Sequence, residues 1–182
     1  MEMKMKDVLQ ATSFRFNKAL GQNFISDTNL LKGIVTDSGI TPDDVVVEIG
    51  TGAGTLTRQI ASVAKQVYSF EVDQNLIPVH ELSLSGIDNL QVIFRDVLKM
   101  KDDEFKSIVG EGEFKVVANL PYYITTPLIM RFLESDLNVT SLTIMVQEEV
   151  GRRLVAKPNT ADYSAITLAV LLRGEGTITR KV

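Results

Sequence analysis

The 182-residue sequence has no cysteine and a single histidine, His80. Without cysteine the chain has no disulfide, no thiolate nucleophile and no cysteine-based zinc site. One histidine nearly excludes a Ser-His-Asp triad or a histidine-rich metal site. Because a lone histidine is more often a surface residue or a satisfied core group, we assign His80 no role. These absences predict a cytoplasmic protein that binds no metal and whose chemistry depends on a cofactor or an activated substrate.

Long apolar runs are also lacking. No stretch approaches the ~20 residues that a membrane span needs, and no long apolar segment follows the N-terminus, so we predict neither a membrane protein nor a signal peptide. The length fits one domain with a substantial core. Hydrophobic residues make up 45% of the chain and charged residues 23%, which is ordinary for a globular protein.

The charge balance is mildly acidic. A net charge of −4 and a pI near 5.1 argue against nucleic-acid binding by the whole surface. Residues 1–35 carry five basic and three acidic side chains, and residues 173–182 carry three and one. These two ends form at most a modest basic rim, which a solvated surface explains equally well.

Short β-branched runs alternate with helical patterns along the chain, without internal repeats. The run Val-Val-Val-Glu-Ile at 45–49 is typical of a central parallel strand buried on both faces. Repeated strand–helix units predict an α/β fold with a Rossmann-like doubly wound sheet. Asp73 is the expected N-cap of the second helix, and Pro127 is expected in the first turn of the third. We expect strands at 45–49, 67–71, 91–94, 116–119 and 142–146, and helices at 56–64, 74–82, 127–134 and 148–156.

Two further elements are expected near the end of the chain. Residues 164–172 are apolar nearly all round and predict a buried helix with Asp162 as its N-cap. Residues 177–182 predict a strand that ends with the chain. Because no element closes the sheet after that strand, we expect the sequence to be part of a longer protein.

Glycines at 50, 52 and 54 follow the first strand. Glycine permits positive φ and lets a ligand contact the backbone, while the N-terminus of the next helix favours anionic groups. A dinucleotide-binding fingerprint requires its third glycine at position 55, where this chain has Thr55. The spacing suits S-adenosylmethionine better, although an ordinary tight turn remains the alternative.

Polar residues end the next strands of the predicted sheet. Glu71 ends the second strand, 21 residues after Gly50, near the ~20-residue offset at which an acid reaches ribose hydroxyls. Asp96 ends the third strand, where it is suited to accept a hydrogen bond from the adenine amine of a cofactor. The backbone N–H of Val97 is suited to bind a ring nitrogen of that adenine. A simple helix cap is the alternative for Asp96.

The fourth strand ends in Asn119-Leu120-Pro121-Tyr122. An exocyclic amine of adenine or cytosine is a poor nucleophile because its lone pair is delocalised. The Asn119 side-chain carbonyl, with a nearby backbone carbonyl, is suited to accept its two N–H bonds. Tyr122 is suited to stack on the base, a contact worth roughly 1–3 kcal/mol. A strand end followed by a proline turn is the alternative.

Four segments together resemble the ribosomal RNA adenine N6-dimethyltransferases. They are Leu-Gly-Gln-Asn-Phe-Ile at 20–25, the glycine loop at 48–54, Asn-Leu-Pro-Tyr-Tyr-Ile-Thr-Thr-Pro at 119–127 and Gln-Glu-Glu-Val-Gly-Arg-Arg-Leu at 147–154. The resemblance runs from about residue 15 to the end. The third segment is more similar to the branch that dimethylates two adjacent adenosines in the 3′-terminal hairpin of small-subunit rRNA (KsgA type). The other branch methylates large-subunit rRNA (Erm type).

The resemblance implies that residues 1–182 form one S-adenosylmethionine-dependent methyltransferase domain, without metal or dedicated general base. It implies a monomer whose partner is the immature small ribosomal subunit. Asn119 then orients the target amine and Tyr122 stacks the base, with Leu120 and Pro121 completing that segment. The implied cofactor-binding residues are Gln22, Asn23, Ile25, Gly50, Gly52, Glu71, Asp96, Val97 and Asn119.

The chain departs from the family pattern in several places. Thr51 stands where proline is frequent, Ser164 where glycine is usual, and Leu171 and Leu172 where aromatics are common. Family members continue with an F-x-P-x-P-x-V segment, a final strand and a basic helical domain, which this sequence does not contain. We therefore expect the 182-residue chain to bind cofactor but to methylate small-subunit particles poorly or not at all.

Three other functions remain open at this point. The chain is consistent with a large-subunit methyltransferase of the Erm type, or with a ribosome-assembly factor that acts mainly by docking. An NAD-dependent oxidoreductase is a weaker alternative, because Thr55 counts against it.

Overall fold

The computed structural model describes residues 5–12, 14 and 25–182. Five parallel strands form one sheet in the order β3-β2-β1-β4-β5. The strands are β1 (Val45–Ile49), β2 (Gln66–Glu71), β3 (Leu90–Phe94), β4 (Phe114–Asn119) and β5 (Val139–Met145). The helices are α1 (Met5–Ala11), α2 (Thr28–Asp37), α3 (Thr55–Ala61), α4 (Ile77–Ser83), α5 (Asp102–Val109), α6 (Tyr122–Leu133), α7 (Glu148–Leu154) and α8 (Ala165–Arg173). Short 3₁₀ turns cover Gln74–Leu76 and Val97–Lys99.

The strand order reverses between β1 and β4. From β1 the chain builds outward through β2 and β3, then returns to place β4 on the other side of β1. In an open parallel sheet, ligands bind outside the carboxyl ends of the strands at such a reversal. The doubly wound α/β fold predicted from the sequence is confirmed, and the reversal predicts where its site lies.

Side chains of β1 alternate between two hydrophobic cores. Val47 and Ile49 pack in the core that α5 and α6 cover, whereas Val46 packs against α2 and α3. Burial on both faces explains why β1 is apolar at nearly every position. Four phenylalanines fill the first core, with ring centroids 5.5 to 6.5 Å apart, namely Phe70, Phe105, Phe114 and Phe132.

The five predicted strands are all present, with small differences at their ends, and β5 begins three residues earlier than predicted. Asp73 caps the turn before α4 as expected, because its carboxylate accepts the backbone N–H of Asn75 at 3.1 Å. The sequence patterns did not predict α1, α2 or α5. No helix among the described residues has the length and apolar character needed to span a bilayer.

The predicted start of α6 at Pro127 is wrong. The helix begins at Tyr122, directly after Pro121, and contains Pro127 as its sixth residue. A proline inside a helix loses the bond to the carbonyl four residues earlier, here that of Tyr123. Because Tyr123 is the second residue of α6, the lost bond lies in the first turn of the helix.

The last part of the chain differs more from expectation. Helix α8 is present, but its N-cap is Ser164 rather than Asp162, since Ser164 and Thr167 form a capping box. The helix is also not buried, because Leu172 is 76% exposed. Residues 177–182 are irregular rather than a strand. A strand needs a neighbouring strand for its hydrogen bonds, whereas here Arg180 and Lys181 form ion pairs with Asp37 and Glu148.

Candidate active site

A cleft of about 900 Å³ lies at the carboxyl ends of the strands. Such a volume suits a ligand of nucleoside size. Gln22 and Asn23 lie outside the described residues. Every other predicted site residue lines the cleft: Ile25, Gly50, Gly52, Glu71, Asp96, Val97, Asn119, Leu120, Pro121 and Tyr122.

Gly50 joins the first glycine turn to the end of β4. Its backbone has φ +86°, in the left-handed region that disfavours residues with a Cβ. A Cβ added there would lie 2.7 Å from Cδ2 of Leu120 and 3.5 Å from the carbonyl oxygen of Asn119. The glycine loop and the Asn119-Leu120 segment are therefore in van der Waals contact, which only glycine permits at this position.

Glu71 is fixed by three backbone donors. Its Oε2 accepts the N–H of Gly52 at 2.9 Å, and its Oε1 accepts those of Val72 and Asp73 at 2.8 and 3.0 Å. A carboxylate has about four acceptor sites, so Oε2 retains one for a further donor. The arrangement fits a carboxylate held ready to accept a hydroxyl group at the end of β2.

Asp96 caps the turn that follows β3. Its Oδ1 accepts the N–H of Leu98 at 3.1 Å, and its Oδ2 lies 3.3 Å from Nζ of Lys99. The helix-cap alternative for Asp96 is therefore what the structure contains. The side chain is still 30% exposed, and it lines the cleft beside Val97. Capping and ligand binding are compatible for a carboxylate with two oxygens.

Ile25 is held at the cleft by Thr55. The Thr55 hydroxyl donates to the backbone carbonyl of Ile25 at 2.9 Å, at the first residue of α3. In the sequence, Thr55 is notable only because it stands where a dinucleotide-binding fingerprint has glycine. The structure gives it a different significance, because it ties the segment before α2 to the glycine loop.

Asn119 and Tyr122 flank the turn between β4 and α6. Asn119 is the last residue of β4, and Pro121 directly precedes α6 with φ −56°. Tyr122 is 63% exposed and Tyr123 is 64% exposed. The structure thus has an amide at the strand end and an exposed aromatic residue at the helix start, and the base-binding roles of Asn119 and Tyr122 stay predictions.

A buried polar chain beneath the glycine loop was missed. Glu48 has no exposed surface, and its Oε2 accepts the hydroxyl of Ser69 at 2.6 Å. The Ser69 hydroxyl also lies 2.7 Å from that of Thr51 in the loop. Burial raises the pKa of Glu48 to about 7; the Ser69 bond opposes this rise and the charge of Glu71 adds to it. The sequence signal for these buried polar contacts was Glu48, an acidic residue within the otherwise apolar strand β1.

His80 also contacts the glycine loop, although the sequence alone predicts no role for it. It projects from α4 and is 7% exposed, and its Nε2 lies 2.7 Å from the carbonyl oxygen of Gly52. Burial lowers its pKa, although the bond to Gly52 and the charge of Glu71 act in the opposite direction. No local pattern could have revealed this contact, because 28 residues separate the two partners.

The end of the chain borders the same cleft. Ile178 and Val182 are among its lining residues. Arg180 donates to both carboxylate oxygens of Asp37 at the end of α2, at 2.8 and 3.2 Å. This pairing lowers the pKa of Asp37 through the hydrogen bond and the charge of Arg180. The cleft thus has an ion pair on this side, in addition to the carboxylates of Glu71 and Asp96 at the strand ends.

Solved structures support the fold assignment. The chain superposes on the 23S rRNA methyltransferase ErmE with a TM-score of 0.64 and 31% identity, covering 78% of this chain and 52% of that one. It superposes on a dimethyladenosine transferase from Plasmodium falciparum with a TM-score of 0.69 and 28% identity, covering 82% and 52%.

Sequence comparisons identify the family. Two relatives named ribosomal RNA small subunit methyltransferase A are 49% identical over 168 residues (Alkaliphilus metalliredigens) and 46% identical over 166 residues (Clostridioides difficile). The matches include 92% and 91% of this chain but only 58% and 57% of those relatives, so the chain spans little more than half their length. The sequence model of the ribosomal RNA adenine dimethylases matches residues 13–178. The chain therefore belongs to the ribosomal RNA adenine dimethylase family.

Proposed function

We propose that this chain binds S-adenosylmethionine in the cleft and forms the catalytic part of an enzyme that dimethylates N6 of two adjacent adenosines in small-subunit rRNA. We further propose that it acts as a monomer on the immature small subunit. The observation that carries the proposal is the van der Waals contact between the glycine loop and the Asn119-Leu120 segment. It brings a cofactor loop against the residues suited to hold a target amine.

The residues present fit the cofactor. Glu71 retains an acceptor site for a ribose hydroxyl, and Asp96 and Val97 lie at the next strand end, where an adenine would reach them. Gly50 leaves room that a Cβ would fill. Bound S-adenosylmethionine supplies a methyl group made electrophilic by its sulfonium.

The protein groups then have to position the amine. The Asn119 side-chain oxygen accepts an amine N–H, which directs the nitrogen lone pair toward the cleft. Tyr122 packs on the base face and holds a base that has left its stack. No strong base is needed, because the proton becomes acidic only as the nitrogen gains its bond. Positioning alone supplies several kcal/mol in such reactions, up to about 7–11.

The relatives support the small subunit as the substrate source. Those at 46% and 49% identity carry small-subunit names, whereas ErmE, at 31%, is a 23S rRNA methyltransferase. The large-subunit alternative therefore remains secondary. Since the family assignment points to methyl transfer, nothing favours the oxidoreductase alternative.

Asn119→Ala tests the proposal. We expect the rate of methyl transfer to fall about 10²-fold or more, because the amine loses an acceptor that acts in the transition state. The measurement is single-turnover transfer of labelled methyl groups to purified small subunits that lack them, with the chain in large excess and long incubation, so that even the poor transfer expected of the 182-residue chain can be followed. Asn138→Ala is the matched control, since it removes the same atoms just before β5, at the opposite end of the sheet.

Three results would contradict the proposal in different ways. A wild-type chain that does not bind S-adenosylmethionine in an equilibrium titration would refute the cofactor. Preferential labelling of large subunits would favour the Erm-type alternative. If Asn119→Ala lost methylation while particle binding and maturation stayed intact, docking would be the main role.

A further inference from the structure

His80 holds a defined tautomer against the glycine loop. A backbone carbonyl can only accept, so the Nε2 that lies 2.7 Å from the Gly52 oxygen must carry the hydrogen. The other ring nitrogen, Nδ1, is buried and has no hydrogen-bond partner among the described residues. A proton added to Nδ1 would therefore be buried without an acceptor, which is costly. The contact exists in the neutral form of the ring.

Gly52 is held from both sides. Its N–H donates to Glu71 at 2.9 Å, while its carbonyl accepts from His80. Its φ of +54° is left-handed, so the flanking peptide groups depend on external bonds to keep their orientation. Glu71 comes from β2 and His80 from α4, so two separate elements fix one residue of the loop.

The surroundings of His80 explain why the neutral form prevails. The ring stacks on Phe94 of β3, with centroids 5.6 Å apart. Among charged groups, Glu71 on β2 favours the imidazolium, but burial outweighs it. Other charged residues on the elements around α4 include Asp73 before the helix, Glu81 within it, Arg58 of α3, which binds the Ser83 carbonyl at its end, and Lys6 and Asp7 of α1.

We propose that His80 is a positioning residue for cofactor binding, which holds the Gly52 carbonyl through Nε2–H and so keeps the Gly52 N–H on the Glu71 carboxylate. The inference rests on the proposed function, because it assumes that Glu71 binds the ribose. If the carbonyl is released, Gly52 is held only through its N–H, so the residue can shift and its N–H leaves the Glu71 carboxylate more readily.

A pH dependence follows from the same geometry. The pKa of His80 is lowered from its usual 6.5, so the ring is neutral at pH 7 and gains a proton only in the acidic range below that value. Protonation places a donor on buried Nδ1 and disfavours the loop arrangement. Cofactor affinity should therefore fall as the pH decreases below about 6.5.

Two substitutions at position 80 test the proposal. His80→Leu keeps an apolar side chain beside Phe94 but removes the donor, whereas His80→Gln places an amide N–H near the original Nε2. The probe is S-adenosylhomocysteine, titrated by calorimetry against the 182-residue chain from about pH 7.5 down to the lowest pH at which the chain remains folded. We expect His80→Leu to raise Kd about tenfold at neutral pH, and His80→Gln to stay within about threefold of wild type.

The pH profile gives a readout that a merely structural residue would not change. Wild type should lose affinity at the acidic end of this range, where the lowered pKa of His80 allows the ring to be protonated, and His80→Gln should lose less, because glutamine does not titrate. Equal affinities of wild type and His80→Leu, or equal pH profiles of wild type and His80→Gln, would overturn the proposal. If His80→Leu does not fold, the comparison of the pH profiles of affinity between His80→Gln and wild type still tests the proposal.

Amide exchange separates this inference from the proposed function. By NMR, the N–H of Gly52 should exchange faster in His80→Leu than in wild type without any cofactor, while amides of β4 stay protected. A wild type that binds no cofactor refutes the proposed function, and this inference with it. A wild type that binds, together with unchanged Gly52 exchange in His80→Leu, refutes only the role of His80.

Discussion

Glu48→Gln removes a titratable carboxyl group from the interior while keeping its shape. Burial raises the pKa of Glu48 from 4.5 to about 7 in the folded protein. The folded state therefore binds a proton more tightly than the unfolded state does. Stability from this group is fully present below pH 4.5 and is lost as the pH rises toward 7, which is the opposite of the usual behaviour of a paired surface acid.

The size of the effect follows from the two pKa values. A shift from 4.5 to about 7 corresponds to a loss of about 3 kcal/mol in the free energy of unfolding at high pH. Between about pH 5.5 and about pH 8 the wild type should lose about 2 kcal/mol of this. Glutamine does not titrate. As the pH rises over this range, the free energy of unfolding of Glu48→Gln should therefore increase relative to that of wild type by about 2 kcal/mol.

Urea denaturation of both proteins across this pH range is the assay. His80 is present in both proteins, so any contribution from its titration cancels in the difference. Ser69→Ala provides a second variant. It removes the hydrogen bond that opposes the rise in the pKa of Glu48. The loss of unfolding free energy with increasing pH should therefore extend to higher pH than in wild type. A difference between Glu48→Gln and wild type that stays constant with pH, or that changes in the opposite direction, would refute the reasoning.

Two further predictions concern the cleft. Tyr122→Ala should lower kcat/KM for the RNA about 10-fold to 100-fold through lost stacking. Tyr123→Ala should lower it less, because successive helical side chains point about 100° apart. Equal losses in the two variants would argue against Tyr122 as the stacking residue. Gly50→Ala should lower the free energy of unfolding by about 1–3 kcal/mol and weaken cofactor binding, since φ is +86° and the new methyl group meets Leu120. Gly112→Ala, which meets no atom within 4 Å, is its control in thermal melts and titrations, and equal stability of the two variants would contradict the argument.

Local patterns were sufficient for the sheet. Each strand was marked by a short run of β-branched residues between breaking residues, because a strand buried on both faces needs apolar side chains at nearly every position. Pattern was insufficient at the end of the chain. Residues 164–172 have the composition of a buried helix, yet burial depends on what packs against a helix. Leu168 and Leu171 are each 49% exposed.

The positions of the site residues were predictable for a similar reason. Parallel strands place their carboxyl ends at one edge, so Glu71, Asp96 and Asn119 were expected to converge once the strands were assigned. Their hydrogen bonds were not predictable. Glu71 accepts from Gly52, 19 residues earlier, and His80 donates to a residue 28 positions earlier. Such contacts depend on how strands and helices pack, and no local spacing encodes them.

The glycine loop connects what the sequence presented as separate motifs. Gly50 contacts Leu120 after β4, and Gly52 is bonded to Glu71 of β2 and His80 of α4. A reaction that depends on in-line positioning is sensitive to displacements of about 1 Å, which can cost about 10²-fold in rate. A loop held by β2, β4 and α4 at once therefore ties the orientation of the cofactor to that of the target amine. Loss of any one of these contacts should affect both cofactor affinity and methyl transfer, even where the changed residue contacts neither ligand.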